Sequence, residues 1–336
     1  MLPKKRPLLH VLIVLSLLTG SAYLTIELRK EEHGARQSWE RLKSPDRTVL
    51  RGDSGQILAI FTDNSRTATL KGPSRAFSES AAISPRVITD DWVRLMPQAW
   101  HVGSEKERWF KEWFRSYRDS RQEDLFAIAF QYVRGAPVKK DDKGIAYAGD
   151  AKFGPINHDL DKHHGTPRLE QSDFFHYLGI PYTFYNGTLK QPKASRYRAI
   201  DCSGFIRMVF GYRSHYPLAP SDYTGNGLLP RTADGIGRSH LGAEIIPLSG
   251  PTPWYERPHN IDALQPGDLI FFKIDGHTGN RLDHVGLYLG PDTEGHKIFI
   301  SSRKKANGPT IGNKGGVSRL DGSGFYAQRL RKAIRL

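Results

Sequence analysis

The chain has 336 residues, 49 Lys and Arg against 35 Asp and Glu, a formal net charge of +14, and a single cysteine, Cys202. At roughly 150 residues per domain this length fits two domains, and the apolar content of 38% excludes wholesale disorder and a polytopic membrane protein. One cysteine excludes an internal disulfide and a cysteine-rich zinc site, while the basic balance points to an anionic partner: nucleic acid, an acidic membrane surface or an anionic cell-wall polymer.

At the N-terminus Lys4, Lys5 and Arg6 precede a mostly apolar run at 8–26, the pattern of an export signal. Gly20, Ser21 and Ala22 suit a small-residue cleavage site, yet the run of about 19 residues also suffices to cross a bilayer. The charged stretch at 27–43, read as helical, follows without a linker and favours a retained anchor over a cleaved peptide. Residues 1–28 are therefore expected to be a signal peptide or transmembrane anchor, 29–165 a β and helical region, and 166–336 a second domain. The protein is expected to be exported into the cell envelope, which removes nucleic acid from the partners and marks the lone thiol as a candidate reactive group.

Residues 48–50, 57–62 and 67–70 read as short strands separated by turns at 52–55 and 63–65. Gly52-Asp53-Ser54-Gly55 has the look of a serine nucleophile turn, but no His and Asp series accompanies it and it reads as a β-turn. Two capping boxes, Ser104 with Glu107 and Ser120 with Glu123, predict two helices. The first carries Trp109, Trp113 and Tyr117 on one face, a core-packing pattern; the second carries Leu125, Ile128, Ala129, Tyr132 and Val133 and stops at Gly135 and Pro137. Residues 139–170 read as a polar, irregular connector. Its His158, Asp159, Asp161, His163 and His164 lack metal-site spacing, so no metal is expected. No Walker loop or dinucleotide fingerprint occurs, and no cofactor is implied.

The chemistry concentrates further on. In the segment 199–211, Phe205, Ile206, Met208, Val209 and Phe210 predict a short buried helix whose first turn holds Cys202 between Asp201 and Ser203. Free N–H groups and the macrodipole at that end are expected to favour the thiolate, and Gly204 permits close approach of backbone or substrate. A thiol nucleophile needs a base and a group that orients the base. Downstream, Pro266-Gly267-Asp268 introduces the run 269–272, and 283–290 reads as the adjacent antiparallel strand. With period two, His284, Gly286 and Tyr288 share one face and Val285, Leu287 and Leu289 the other. The aliphatic face can then cover the cysteine helix, and Gly286 leaves space beside the candidate base, His284.

In order along the chain, Ile180-Pro181-Tyr182, Asp201-Cys202-Ser203-Gly204-Phe205, Leu229-Pro230-Arg231-Thr232, the segment 266–272 and the segment 284–290 resemble the NlpC-type cell-wall cysteine peptidases, over about residues 171–336. The resemblance implies an α+β, papain-like domain with the nucleophile helix packed on an antiparallel sheet, acting on peptidoglycan stem peptides, commonly after D-glutamate. Cys202 matches the nucleophile and His284 the base. Tyr182 matches a tyrosine lining the cysteine, where its hydroxyl and the Cys202 N–H stabilise the oxyanion; Asp201 and Ser203 join it as substrate or oxyanion contacts. In the family the third polar residue is His, Asn or Gln on the next strand. Here Ile298-Phe299-Ile300-Ser301-Ser302 puts Ser301 there, with His296 as the alternative. Insertions between Tyr182 and Cys202, and between Thr232 and Pro266, are expected to reshape the groove. Arg303, Lys304, Lys305, Arg329, Arg331 and Lys332 form the expected footprint for anionic wall polymers or a membrane surface. Two competing functions share these residues: a wall-binding or scaffolding protein without turnover, and a thiol acyltransferase or amidase on a non-wall substrate.

Overall fold

In the computed structural model the described residues are 37–79, 85–157, 168–222, 227–312 and 318–336, with Ser16 alone before them. The apolar run at 8–26, with its signal or anchor reading, lies outside them except for Ser16, as do His158, Asp159, Asp161, His163 and His164. Among the described residues no helix is long and apolar enough to cross a membrane.

Five antiparallel strands, β1 (Ser38–Leu42), β2 (Arg47–Arg51), β3 (Ile57–Thr62), β4 (Thr67–Phe77) and β5 (Val87–Leu95), form a sheet in chain order. The turn at 52–55 joins β2 to β3, closed by Gly55 N–H on the Gly52 carbonyl. β1 replaces the helical reading of 38–42. Its backbone pairs with β2, Trp39 stacks on Trp100 at 5.9 Å, and Arg41 binds the Asp63 carboxylate, so tertiary partners outweigh the local helical preference.

Two helices follow, α1 (Arg108–Tyr117) and α2 (Leu125–Phe130), but neither begins at its expected capping box. Ser104 lies in a separate 3₁₀ turn, where its hydroxyl accepts the His101 N–H, and α1 starts after Glu107 with no side-chain cap. Asp124, one residue beyond Glu123, caps α2 by accepting the Ala127 N–H at 3.0 Å; the same carboxylate takes the Val93 N–H at 2.8 Å and the Arg75 guanidinium. This buried carboxylate has more donors around it than the exposed Ser120 does. The aromatic face of α1 packs in the core, with Phe110 and Trp113 against Phe61, Trp100 and Leu70.

The connector is less irregular than expected, because β6 (Lys139–Lys140) and β7 (Ala146–Ala148) pair. Then come α3 (Phe174–Leu178), the hairpin β8 (Tyr182–Thr183) and β9 (Leu189–Lys190), α4 (Cys202–Ile206) running on into a π-helical turn (Arg207–Tyr212), and α5 (Ala233–Arg238). A six-stranded antiparallel sheet completes the chain. It comprises β10 (Ala243–Ile246), β11 (Leu269–Phe272), β12 (His284–Pro291), β13 (Lys297–Arg303), β14 (Gly308–Thr310) and β15 (Leu330–Arg335), in the order β10-β15-β11-β12-β13-β14. Val285, Leu287 and Leu289 face the cysteine helix and share a core with Phe205, Ile206 and Val209, while Tyr288 packs with Phe272 and Phe299 on the opposite face. The chain is thus mixed α and β, with the cysteine helix on an antiparallel sheet.

One apolar core extends from the first half of the chain into the second, joining Phe77, Val93, Phe126 and Tyr132 to Leu269 and Leu287. Buried polar ties reinforce it: Arg335 pairs with Asp268 at 2.6 and 2.9 Å and donates to Thr62 at 2.6 Å. The expected basic footprint is correspondingly smaller. Arg303, Arg331 and Lys332 are buried, with Arg331 on the Trp254 carbonyl and Lys332 on Glu244. The aliphatic stems pack inside and the charges find partners there, which leaves Lys304 and Lys305 exposed and Arg329 half-buried.

Candidate active site

The first turn of α4 is held by alternating buried charges. Asp201 is its N-cap, taking the Gly204 N–H at 2.7 Å, and Arg231 donates to Asp201 at 2.7 Å and to Ser203 Oγ at 2.8 Å. Behind it Asp173, the N-cap of α3, is 3.5 Å from Arg231 and receives Arg207 Nε at 3.0 Å. Arg207 also donates to the Leu229 and Pro230 carbonyls, tying the 229–232 segment to the helix. Burial alone would raise the Asp201 carboxyl, but the Arg231 charge and the bonds from Arg231, Gly204 and Ser203 hold it below its ordinary value. Gly204 is required by backbone rather than substrate: a Cβ there would lie 2.2 Å from the Ser172 carbonyl oxygen.

Cys202 and His284 open onto one cleft of about 1290 Å³, bordered also by Arg231, Arg303, Lys304 and Tyr326. Among the described residues no hydrogen bond joins the two, and the Val285 backbone N–H exerts a pull on the sulfur that favours the thiolate. The ordinary thiolate preference of a helix N-terminus is reversed. Burial pushes the Cys202 thiol well up, and the Asp201 and Glu170 charges push it further, against the weaker opposing effects of Val285 N–H and Arg231. The cap carboxylate sits at the positive end of a helix too short for a large dipole.

His284, the first residue of β12, is buried, its ring 5.8 Å from that of Phe272 and 5.7 Å from that of Tyr326. Its Nε2 is 3.1 Å from Ser301 Oγ, and that oxygen receives Arg303 Nε at 2.9 Å. Burial first, then the Arg303 and Lys304 charges against an opposing Asp201, pull His284 down to about 3. The resting pair is therefore a neutral thiol and a neutral imidazole rather than an ion pair. With Nε2 on Ser301, Nδ1 is the nitrogen left for a proton.

The other sequence candidates are placed differently. Tyr182 borders a second cavity, its ring edge-on to Phe174 at 4.7 Å and to Phe184 at 4.9 Å; this aromatic packing holds it out of the Cys202 cleft. Asp201 and Ser203 border the cleft, but their side chains are engaged by the cap and by Arg231. His296 lies in the turn between β12 and β13, with Nδ1 2.9 Å from the Asp321 carboxylate, and does not border the cleft. The space expected beside Gly286 is filled by the Phe299 ring, which would meet a Cβ at 2.5 Å. The inserted Lys190, Gln191 and Lys193 do border the cleft.

Three neighbours have no part in the site by sequence, where Arg303 reads as part of the basic footprint. Arg231 stood within a quoted motif, and Arg303 lies two residues past Ser301 and hence on the same strand face. Tyr326 had no local signal. Its ring lies under the Arg303 guanidinium at 4.5 Å, and its hydroxyl has no hydrogen-bond partner among the described residues. The NlpC/P60 family model matches residues 179–332. No curated protein matches the chain.

Proposed function

From the match of the NlpC/P60 family model, in general a family of cell-wall peptidases, to residues 179–332, we propose that the chain belongs to that family and is a cysteine hydrolase cleaving an amide bond of peptidoglycan stem peptides. The observation that carries this reading is the meeting of Cys202 and His284 in one cleft, with the far imidazole nitrogen on Ser301. Cys202 Sγ attacks the amide carbonyl while its proton passes to His284 Nδ1. The imidazolium so formed donates through Nε2 to Ser301 Oγ, which Arg303 holds in place. No acceptor within the described residues takes the Cys202 N–H, so it meets the developing oxyanion, and the Tyr326 hydroxyl takes the second donor position in place of Tyr182. His284 then protonates the leaving amine, and water hydrolyses the acyl-enzyme.

The enzyme acts in the cell envelope, exported by the segment 1–28 as anchor or cleaved signal, with Lys304, Lys305 and Arg329 retaining it on anionic polymers. Mass spectrometry of muropeptides incubated with wild type and Cys202→Ala tests the chemistry: fragments from wild type alone are expected, and equal fragmentation by both overturns it. The raised thiol favours a second reading, a wall-binding protein without turnover. Wall retention with no muropeptide fragments from wild type selects it; fragments from a non-wall amide select the acyltransferase or amidase.

A further inference from the structure

The second cavity, about 790 Å³, lies at the far end of the cysteine helix, bordered by Gly211, Tyr212 and Arg213. Nine residues lie between Cys202 and Tyr212, within the α-helix and the π-helical turn that follows it, so the two cavities sit at opposite ends of this segment. Five tyrosines border it: Tyr147, Tyr182, Tyr185, Tyr212 and Tyr216. None of their hydroxyls has a hydrogen-bond partner among the described residues, whereas the nearby buried Tyr132 and Tyr177 hydroxyls donate to the Tyr147 and Gly149 carbonyls.

The walls are fixed before any ligand arrives. Buried Phe174 meets Tyr182 edge-on at 4.7 Å and stacks on Tyr212 at 5.7 Å, and the Arg213 guanidinium lies over the Tyr147 ring at 4.7 Å. Tyr185, on the β8–β9 hairpin, is 86% exposed and so offers ring surface to solvent. Asp141 completes the rim: its Oδ1 accepts the Lys143 and Ile145 N–H groups, leaving Oδ2 without a partner.

We propose that this cavity is a carbohydrate subsite that seats pyranose rings of a glycan chain. Ring faces carrying partial negative charge attract the polarised C–H bonds of a sugar, unpaired hydroxyls and a carboxylate oxygen exchange hydrogen bonds with its hydroxyls, and the volume falls within the roughly 300–1,000 Å³ usual for ligand sites. Neither a purely apolar nor a strongly charged ligand matches five phenols, one free carboxylate oxygen and the Arg213 guanidinium, which is already engaged by Gln131, Tyr132 and Glu123. The inference rests on the wall-hydrolase reading for the choice of polymer, adding a hold on the glycan to the hold on its peptide.

Isothermal titration of the full chain with N-acetylglucosamine tetramer tests it. Saturable binding is expected, weakened at least tenfold in Tyr185→Ala and in Tyr147→Ala and retained in Tyr185→Trp, with Cys202→Ala binding as wild type does. No saturable binding, or equal affinity in wild type and both alanine variants, overturns it. Muropeptide cleavage without tetramer binding would remove the subsite and leave the hydrolase standing; tetramer binding without cleavage would do the reverse.

Discussion

At the residue scale the proposed base, His284, is held by the Ser301 hydroxyl, which Arg303 holds in turn. Ser301→Ala removes the acceptor for the imidazolium without opening the sheet, so kcat is expected to fall at least tenfold with KM little changed, read from steady-state cleavage. Wild-type kcat in that variant would remove Ser301 from the mechanism. Tyr326→Phe deletes one hydroxyl and is expected to lower kcat by a comparable factor while leaving the denaturation midpoint in place. The neutral resting pair also makes a kinetic statement. Iodoacetamide should modify Cys202 slowly at pH 7 and faster as pH rises toward its displaced titration; fast modification that is flat with pH would mean a thiolate–imidazolium pair.

At the scale of elements, the cap network decides whether the nucleophile turn exists. Asp201→Ala removes an N-cap, typically about 1 kcal/mol, and strands the buried Arg231, a loss of about 3–5 kcal/mol for a broken buried pair. The urea midpoint should drop accordingly, and a drop no larger than an ordinary cap loss would show that Asp173 alone satisfies Arg231. Strand alternation made the face-to-face packing of β12 on the cysteine helix legible from 285, 287 and 289, since burial on one face leaves a period-two trace. The order of motifs likewise placed Cys202, His284 and Ser301. Other features had no such trace. Tyr182 sits in a matching motif but turns to a pocket that Phe174 and Phe184 create by packing, and packing partners from distant elements are not written locally. The second capping box failed for the same reason, because Asp124 is selected by Arg75 and Val93 from β4 and β5, while the first failed locally, its Ser104 hydroxyl taken by the His101 N–H. Buried Arg331 and Lys332 read as surface charge because their partners, the Trp254 carbonyl and Glu244, lie far away in sequence, and Arg303 because the Tyr326 ring beneath it comes from a distant loop.

At the scale of the whole molecule, acid is a lever on folding. His284 falls from an ordinary 6.5 to about 3 and His176, also driven chiefly by burial, to about 4. The unfolded chain takes up these protons below about pH 6.5 and the folded chain does not, so the stabilisation is complete above that pH and is lost as pH falls toward 4 and 3. Urea midpoints from pH 7 down to pH 4 should decline, and His176→Gln should flatten part of the decline; a level profile in wild type would contradict the assignment. Because one core joins Val93 and Phe126 to Leu269 and Leu287, deleting 37–165 exposes apolar surface that no other element covers, and the remainder is expected to be insoluble or molten by near-UV dichroism.

The strand β15 threads between β10 and β11, and just past it the Leu336 carbonyl receives Ser65 Oγ from 271 residues away. β10 therefore has no link to β11 within the sheet until the final stretch of polypeptide arrives, whereas β11, β12, β13 and β14 pair without it. A chain ending before β15 would still carry Cys202, His284 and Ser301 on α4, β12 and β13, but would lose the tie from Arg335 to Asp268 and Thr62 that holds the two halves together.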